Sequence, residues 1–100
     1  MPREIIFDPE ARIEFENAVA WCNEYRPGSG DELELEVHEM LDRIRENPDR
    51  FRLVGRTTRT ARLQKFYKYA IYFHVESNFI GIVSVFHSSR DPAELRRRLT

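Results

Sequence analysis

Between Pro9 and Pro48 the apolar residues recur every three or four positions, and beyond Pro48 mostly every second position. That change of period predicts helices first and strands afterwards. Ahead of the helical stretch, Glu4-Ile5-Ile6-Phe7 is a short run of β-formers and reads as a first strand. Asp8 can cap a helix, Pro9 suits its first position because the N–H it lacks would be unpaired there, and Glu10 favours the positive end of the dipole. Ala11, Phe15, Ala18, Val19, Cys22 and Tyr25 then make one apolar stripe, with Glu14, Glu16, Asn17 and Glu24 away from it, until Pro27-Gly28 ends the helix. Ser29 with Glu32 three residues on is a capping-box pattern for a second helix. Its buried stripe is Leu33, Val37, Met40, Leu41 and Ile44, and Asn47-Pro48 stops it. Leu35 falls off that stripe. The short connection Arg26-Pro27-Gly28-Ser29-Gly30 implies an antiparallel helical hairpin.

After Pro48, Phe51, Leu53 and Val54 form a short candidate strand, followed by Gly55 to Thr60, which has loop composition. Ala61 to Phe66 reads as an edge strand carrying charges. From Lys68 to Glu76 the alternation is clean, with Tyr69, Ile71, Phe73 and Val75 on one face and Lys68, Ala70, Tyr72 and His74 on the other. Ser77-Asn78 is a two-residue hairpin turn, Asn tolerating positive φ. Phe79 to Phe86 is almost wholly apolar and is expected to be a central strand covered on both faces. Asp91-Pro92-Ala93-Glu94 opens a short terminal helix. The fold class is α+β: an N-terminal strand and an antiparallel helical hairpin on a three- to four-stranded antiparallel sheet, with a short C-terminal helix. With 100 residues and no internal repeat or linker, residues 1–100 are expected to form one domain.

Composition narrows the function. With 33% charged residues and no apolar run near the roughly 18 residues that cross a bilayer, a membrane-spanning chain is excluded. The N-terminal stretch has no signal-peptide core, and Cys22 has no cysteine to pair with, so the cytoplasm is the expected compartment. The net charge of −1 conceals polarity: residues 1–50 carry 6 basic against 14 acidic side chains, residues 51–100 carry 10 against 3. The basic half suits an anionic partner; equally, the two halves can attract each other within one fold. Arginines number 14 against 2 lysines, which favours contacts where a planar fork matters, although a solvated arginine-rich surface has the same composition. Arg56, Arg59, Arg62, Lys65 and Arg90 form the candidate binding set.

Enzyme signatures are sparse. No glycine-rich phosphate loop occurs, no cofactor is implied, and His38, His74 and His87 lack the spacing of metal ligands. His38 reads as a surface histidine and Cys22 as a buried structural thiol. His87-Ser88-Ser89-Arg90-Asp91 follows the last strand, where His87 and Arg90 could serve proton transfer and phosphate stabilisation; the alternative is structural, with Asp91 capping the last helix.

Four stretches in this order make residues 3–99 resemble the RelE/ParE toxin superfamily of bacterial type II toxin-antitoxin, or plasmid-stabilisation, systems: Phe7-Asp8-Pro9-Glu10-Ala11, Tyr25-Arg26-Pro27-Gly28, Ile44-Arg45-Glu46-Asn47-Pro48 with Phe51, and His87-Ser88-Ser89-Arg90-Asp91-Pro92. The resemblance is closer to the ParE branch. It implies a toxin neutralised by a cognate antitoxin protein whose acidic or amphipathic tail wraps it. ParE-like members poison DNA gyrase without cutting nucleic acid, whereas RelE-like members cut mRNA on the ribosome with a Lys/Arg cluster and a terminal tyrosine or histidine. If this chain were such a nuclease, Arg59, Arg62, Lys65, His87 and Arg90 would be its catalytic set. No tyrosine follows Tyr72, a departure that favours the gyrase-binding reading over an enzyme. A decayed toxin that only binds antitoxin is the third reading. A homodimer and a hetero-oligomer with the antitoxin both stay open.

Overall fold

The protein is described by a computed structural model over residues 3–99. Strand β1 (Glu4–Phe7) leads into helix α1 (Pro9–Tyr25), and the chain returns through α2 (Ser29–Glu46). A single 3-10 turn, Pro48–Arg50, feeds β2 (Arg52–Leu53), β3 (Thr58–Arg62), β4 (Tyr69–Val75) and β5 (Phe79–His87), and α3 (Pro92–Arg98) follows. The strands form one sheet in the order β1-β5-β4-β3-β2. β2 to β5 make an antiparallel meander, and β1 joins β5 in parallel, Glu4 opposite Phe79 and Phe7 opposite Ile82. The α+β arrangement is as expected, with the first strand added to the sheet as its fifth member. No helix among the described residues is long and apolar enough to cross a membrane.

The helical hairpin covers one face of the sheet. Ala11, Phe15, Ala18 and Cys22 of α1 and the whole α2 stripe, Leu33, Val37, Met40, Leu41 and Ile44, are buried against Ile71, Phe73, Ile80, Ile82 and Val85. Two positions of α1 depart from the periodicity. Tyr25 is 82% exposed, because α1 ends there and its ring stacks on Trp21, one turn back, outside the core. Glu14, expected in solvent, has a side chain only 11% exposed and is turned into the sheet end by partners described below.

The expected capping box is not the device that starts α2. Ser29 lies inside the helix and donates to the carbonyl of Cys22 at 3.2 Å, while Gly28 is the N-cap in a left-handed conformation, φ 92°. That conformation is easy only for glycine. The free amides of Gly28 and Gly30 are taken by Oδ1 of Asn23, at 3.1 and 2.8 Å, so a side chain of α1 caps α2. A β-carbon on Gly30 would stand 2.1 Å from the carbonyl oxygen of Val19, which shows how closely the helices cross.

Strand β3 begins at Thr58, earlier than the expected Ala61, and ends at Arg62. Pairing with β4, Arg59 opposite Phe73 and Ala61 opposite Ile71, overrides the loop-like composition of Thr58-Arg59-Thr60. It is an interior strand, and the edge is the two-residue β2. The amides of Gln64, Lys65 and Phe66, expected to be in that strand, instead donate to the Glu36 carboxylate at 2.6, 3.1 and 3.0 Å and form a turn. The Ser77-Asn78 turn occurs where expected, closed by the Glu76 amide on the Phe79 carbonyl at 2.8 Å, but without positive φ at Asn78. β5 is buried from Ile80 to Phe86, as its apolar run implies.

Candidate functional site

β1 stops opposite Ile82 whereas β5 continues to His87. Beyond that point one edge of β5 has no strand beside it. A register shift between Tyr72 and Phe73, opposite Ser84 and Ile82, leaves Val83 as an extra residue, a bulge of the kind that re-aims backbone groups. Side chains take the place of the missing strand. Arg98 Nη2 donates to the Val83 carbonyl at 2.5 Å, and the Val85 amide donates to Glu14 Oε1 at 3.2 Å. Ser84 Oγ donates to the same oxygen at 2.8 Å. Arg98 grips Glu14 with both terminal nitrogens, Nη1 to Oε2 at 2.9 Å and Nη2 to Oε1 at 3.1 Å, and Arg90 Nη1 also donates to Oε2. Arg90 is further held by Glu94 at 2.8 Å and lies over the Phe86 ring at 4.6 Å, and Arg98 Nε is 3.4 Å from Glu10.

Burial acts to raise the Glu14 pKa, but hydrogen bonds from Arg98, Arg90 and Ser84 outweigh it and hold the carboxyl below its ordinary 4.5. Arg98 is pushed further towards its charged form, first by its hydrogen bonds to Glu14. For Arg90, burial opposes the charge, and the hydrogen bonds it donates to Glu94 and Glu14 reverse that effect. Glu14, Arg90 and Arg98 are therefore all charged near neutrality.

This cluster borders a cleft of about 480 Å³ between α1, the end of β5 and α3, lined also by Ile13, Trp21, Tyr69 and His87. His87 Nδ1 accepts from the Ser89 amide at 3.0 Å and lies 2.8 Å from Ser89 Oγ, so the neutral ring carries its proton on Nε2. Burial, aided by the Lys68 charge, lowers the His87 pKa from 6.5. Its ring meets Tyr69 edge-on at 4.7 Å. The Tyr69 phenol is pushed up to about 12, first by burial and then by Cys22, so it stays protonated.

A second groove, about 260 Å³, adjoins the first through Trp21 and Tyr69 and is lined by Tyr25, Phe66, Tyr67 and Lys68. Trp21 and Tyr25 stack with their planes 5° apart and centroids 5.2 Å apart. Trp21, Tyr25 and Tyr67 are 57%, 82% and 62% exposed. Exposed aromatic side chains grouped in this way are the kind of surface that protein interfaces bury.

The six residues singled out in the sequence do not meet in one place. His87 and Arg90 line the cleft, and Lys65 lines the aromatic groove while pairing with Glu32. Arg59 donates to the carbonyls of Phe51 and Asp49 at 2.6 and 3.3 Å, tying the 3-10 turn to the sheet. Arg62 closes the following turn on the Tyr67 carbonyl at 2.9 Å. Arg56 is exposed between β2 and β3. Asp91 caps α3, accepting from the Ala93 amide at 3.0 Å, as expected of its structural role. Sequence reasoning missed Glu14, Arg98, Trp21 and Tyr67. Trp21 carried a signal, being a large aromatic residue off the α1 stripe; the Glu14–Arg98 pair spans 84 positions and carried none.

A family model described as the ParE toxin of the type II toxin-antitoxin system, parDE, matches residues 5–92. Among solved structures, a chain of the chromosomal ParDE toxin-antitoxin system from P. aeruginosa superposes with a TM-score of 0.73 at 11% identity, over 85% of this chain and 95% of that one. At that identity the likeness is one of fold. No curated protein matches the chain.

Proposed function

The chain belongs to the ParE toxins of type II toxin-antitoxin (parDE) systems, and from that membership we propose that it is the toxin of such a pair, inhibiting DNA gyrase by binding it and neutralised by a cognate antitoxin. The whole chain, residues 1–100, would act as one domain in the cytoplasm, where both partners reside. The observation that carries binding over catalysis is the state of the cleft. Its two arginines are already neutralised by Glu14, Glu94 and Glu10, while Trp21, Tyr25 and Tyr67 stand exposed beside them. Phosphodiester cleavage wants uncommitted positive charge; a protein interface wants exposed aromatic anchors. In this reading Lys65 lines the aromatic groove, Arg62 holds the turn that carries Tyr67 and Arg90 lines the adjoining cleft, while Arg56 and Arg59 line neither cavity. Purified protein should inhibit supercoiling by gyrase at micromolar excess, and Trp21→Ala should abolish inhibition while leaving the protein folded. Unimpaired supercoiling at that excess would overturn the proposal.

A second reading, a ribosome-dependent mRNA endonuclease, draws on one observation: His87 presents an Nε2 proton in the cleft beside Arg90. Primer extension on translated message should then reveal cuts that vanish in His87→Ala. Induced expression with separate readouts of replication and translation decides between the two, and growth unaffected by expression would point to a decayed toxin.

A further inference from the structure

The Glu14 carboxylate lies in a receptor whose other parts do not depend on it. Arg98 is also held by the Val83 carbonyl and by Glu10, Arg90 by Glu94 and by the Phe86 ring, and Ser84 and Val85 by the sheet itself. All the donors come from β5, α3 and the turn between them, and the one acceptor comes from α1. Removing Glu14 would therefore leave a preformed set of donors: a bidentate guanidinium, a second guanidinium, a hydroxyl and a backbone amide. The site is at the wall of the cleft, beside exposed Ile13 and Trp21, so a group entering from solvent can reach it.

We propose that this is a carboxylate-binding site, filled in the free protein by Glu14 and in a complex by an acidic side chain of a protein partner that displaces it. Geometry selects the chemistry. Arg98 gives one bond to each oxygen of a planar carboxylate, and Ser84 and Val85 converge on one of those oxygens. Charge is consistent with it: with Glu14 withdrawn, Glu10 and Glu94 balance Arg90 and Arg98, so a single negative charge can be exchanged for another without adding to the local total. The neighbouring Ile13 and Trp21 would receive an apolar residue flanking the acid, so the segment recognised is acidic and amphipathic. The inference rests on the protein-binding reading above and assigns that partner its anchor.

Two measurements on the full chain test it, neither involving gyrase or the ribosome, so its failure is distinguishable from failure of the toxin reading. In the first, Glu14→Ala is melted in sodium acetate and in sodium chloride at equal ionic strength. Acetate should raise its melting temperature by several degrees, and should raise neither the wild type nor Glu14→Ala/Arg98→Lys beyond chloride. In the second, a short peptide with one aspartate between apolar residues is titrated by following Trp21 fluorescence. It should bind Glu14→Ala about tenfold more tightly than the wild type, and its asparagine analogue should show no such gain. Should Glu14→Ala not fold, Glu14→Gln, which keeps the shape without the charge, takes its place in the titration. Acetate acting no better than chloride, or equal peptide affinity in variant and wild type, would make Glu14 a purely structural tie and overturn the proposal. A single-stranded oligonucleotide gaining affinity where the peptide does not would overturn the choice of a protein carboxylate.

Discussion

Glu14 joins three parts of the chain through one carboxylate, and the consequences of losing it follow from its burial. Its side chain is 11% exposed, as is that of Arg98, so replacing it by alanine leaves two guanidiniums with partly unmet bonds. A cost of about 2–4 kcal/mol, read as a drop in the urea midpoint, is the expected outcome. The pH dependence has a definite sign. A carboxyl held below 4.5 in the folded state contributes stability that is complete above that pH and is lost as pH falls through the lowered folded value. His87, lowered from 6.5, likewise favours the fold above 6.5 and loses its contribution as acid protonates it. Unfolding free energy measured against pH should therefore decline in two acid stages, Glu14→Gln flattening the lower and His87→Gln the upper. Sequence alone disclosed the local chemistry at Asp91, whose capping partner is two residues away, but not that at Glu14, whose partners lie 70 to 84 positions on. Glu14 stands at the border of the apolar stripe, three residues after Ala11 and four before Ala18, and the truncation of β1 beside a longer β5 gives its carboxylate a buried role.

Among the elements, the buried face of α2 was legible because its own periodicity decides it. Its start was not, since the cap comes from Asn23 of α1, outside the local pattern. Asn23→Ala should destabilise by about 1 kcal/mol and speed hydrogen exchange at Gly28 and Gly30 without altering the rest of α2. The β3–β4 connection follows the same logic. Glu36 on α2 accepts three consecutive amides there, so what looked like strand at residues 64–66 becomes a turn fixed by a distant carboxylate. Glu36→Ala should cost about 1–3 kcal/mol and selectively expose the amides of residues 64–66 to exchange. Strand β4 was legible because strict alternation coincides with burial on its helix-facing side.

For the molecule as a whole, the opposed charges of the two halves have a structural use. Lys65 pairs with Glu32, Arg59 with Asp49, and Arg90 and Arg98 with Glu14, each joining a cation of the second half to an acid of the first. Much of the basic set is therefore engaged within the fold, and beside the cleft the exposed surface is aromatic. Trp21 and Tyr25 contribute to no buried cluster, so Trp21→Ala should change stability by under about 1 kcal/mol while removing an interface anchor expected to contribute about 2 kcal/mol or more. The most direct test of that account is inhibition of gyrase supercoiling by the wild type and by Trp21→Ala, compared at equal concentration after matching melting curves confirm that both are folded. The account predicts inhibition by the wild type and none by the variant at micromolar protein. Absence of inhibition by folded wild type, or equal inhibition by both proteins, would contradict it.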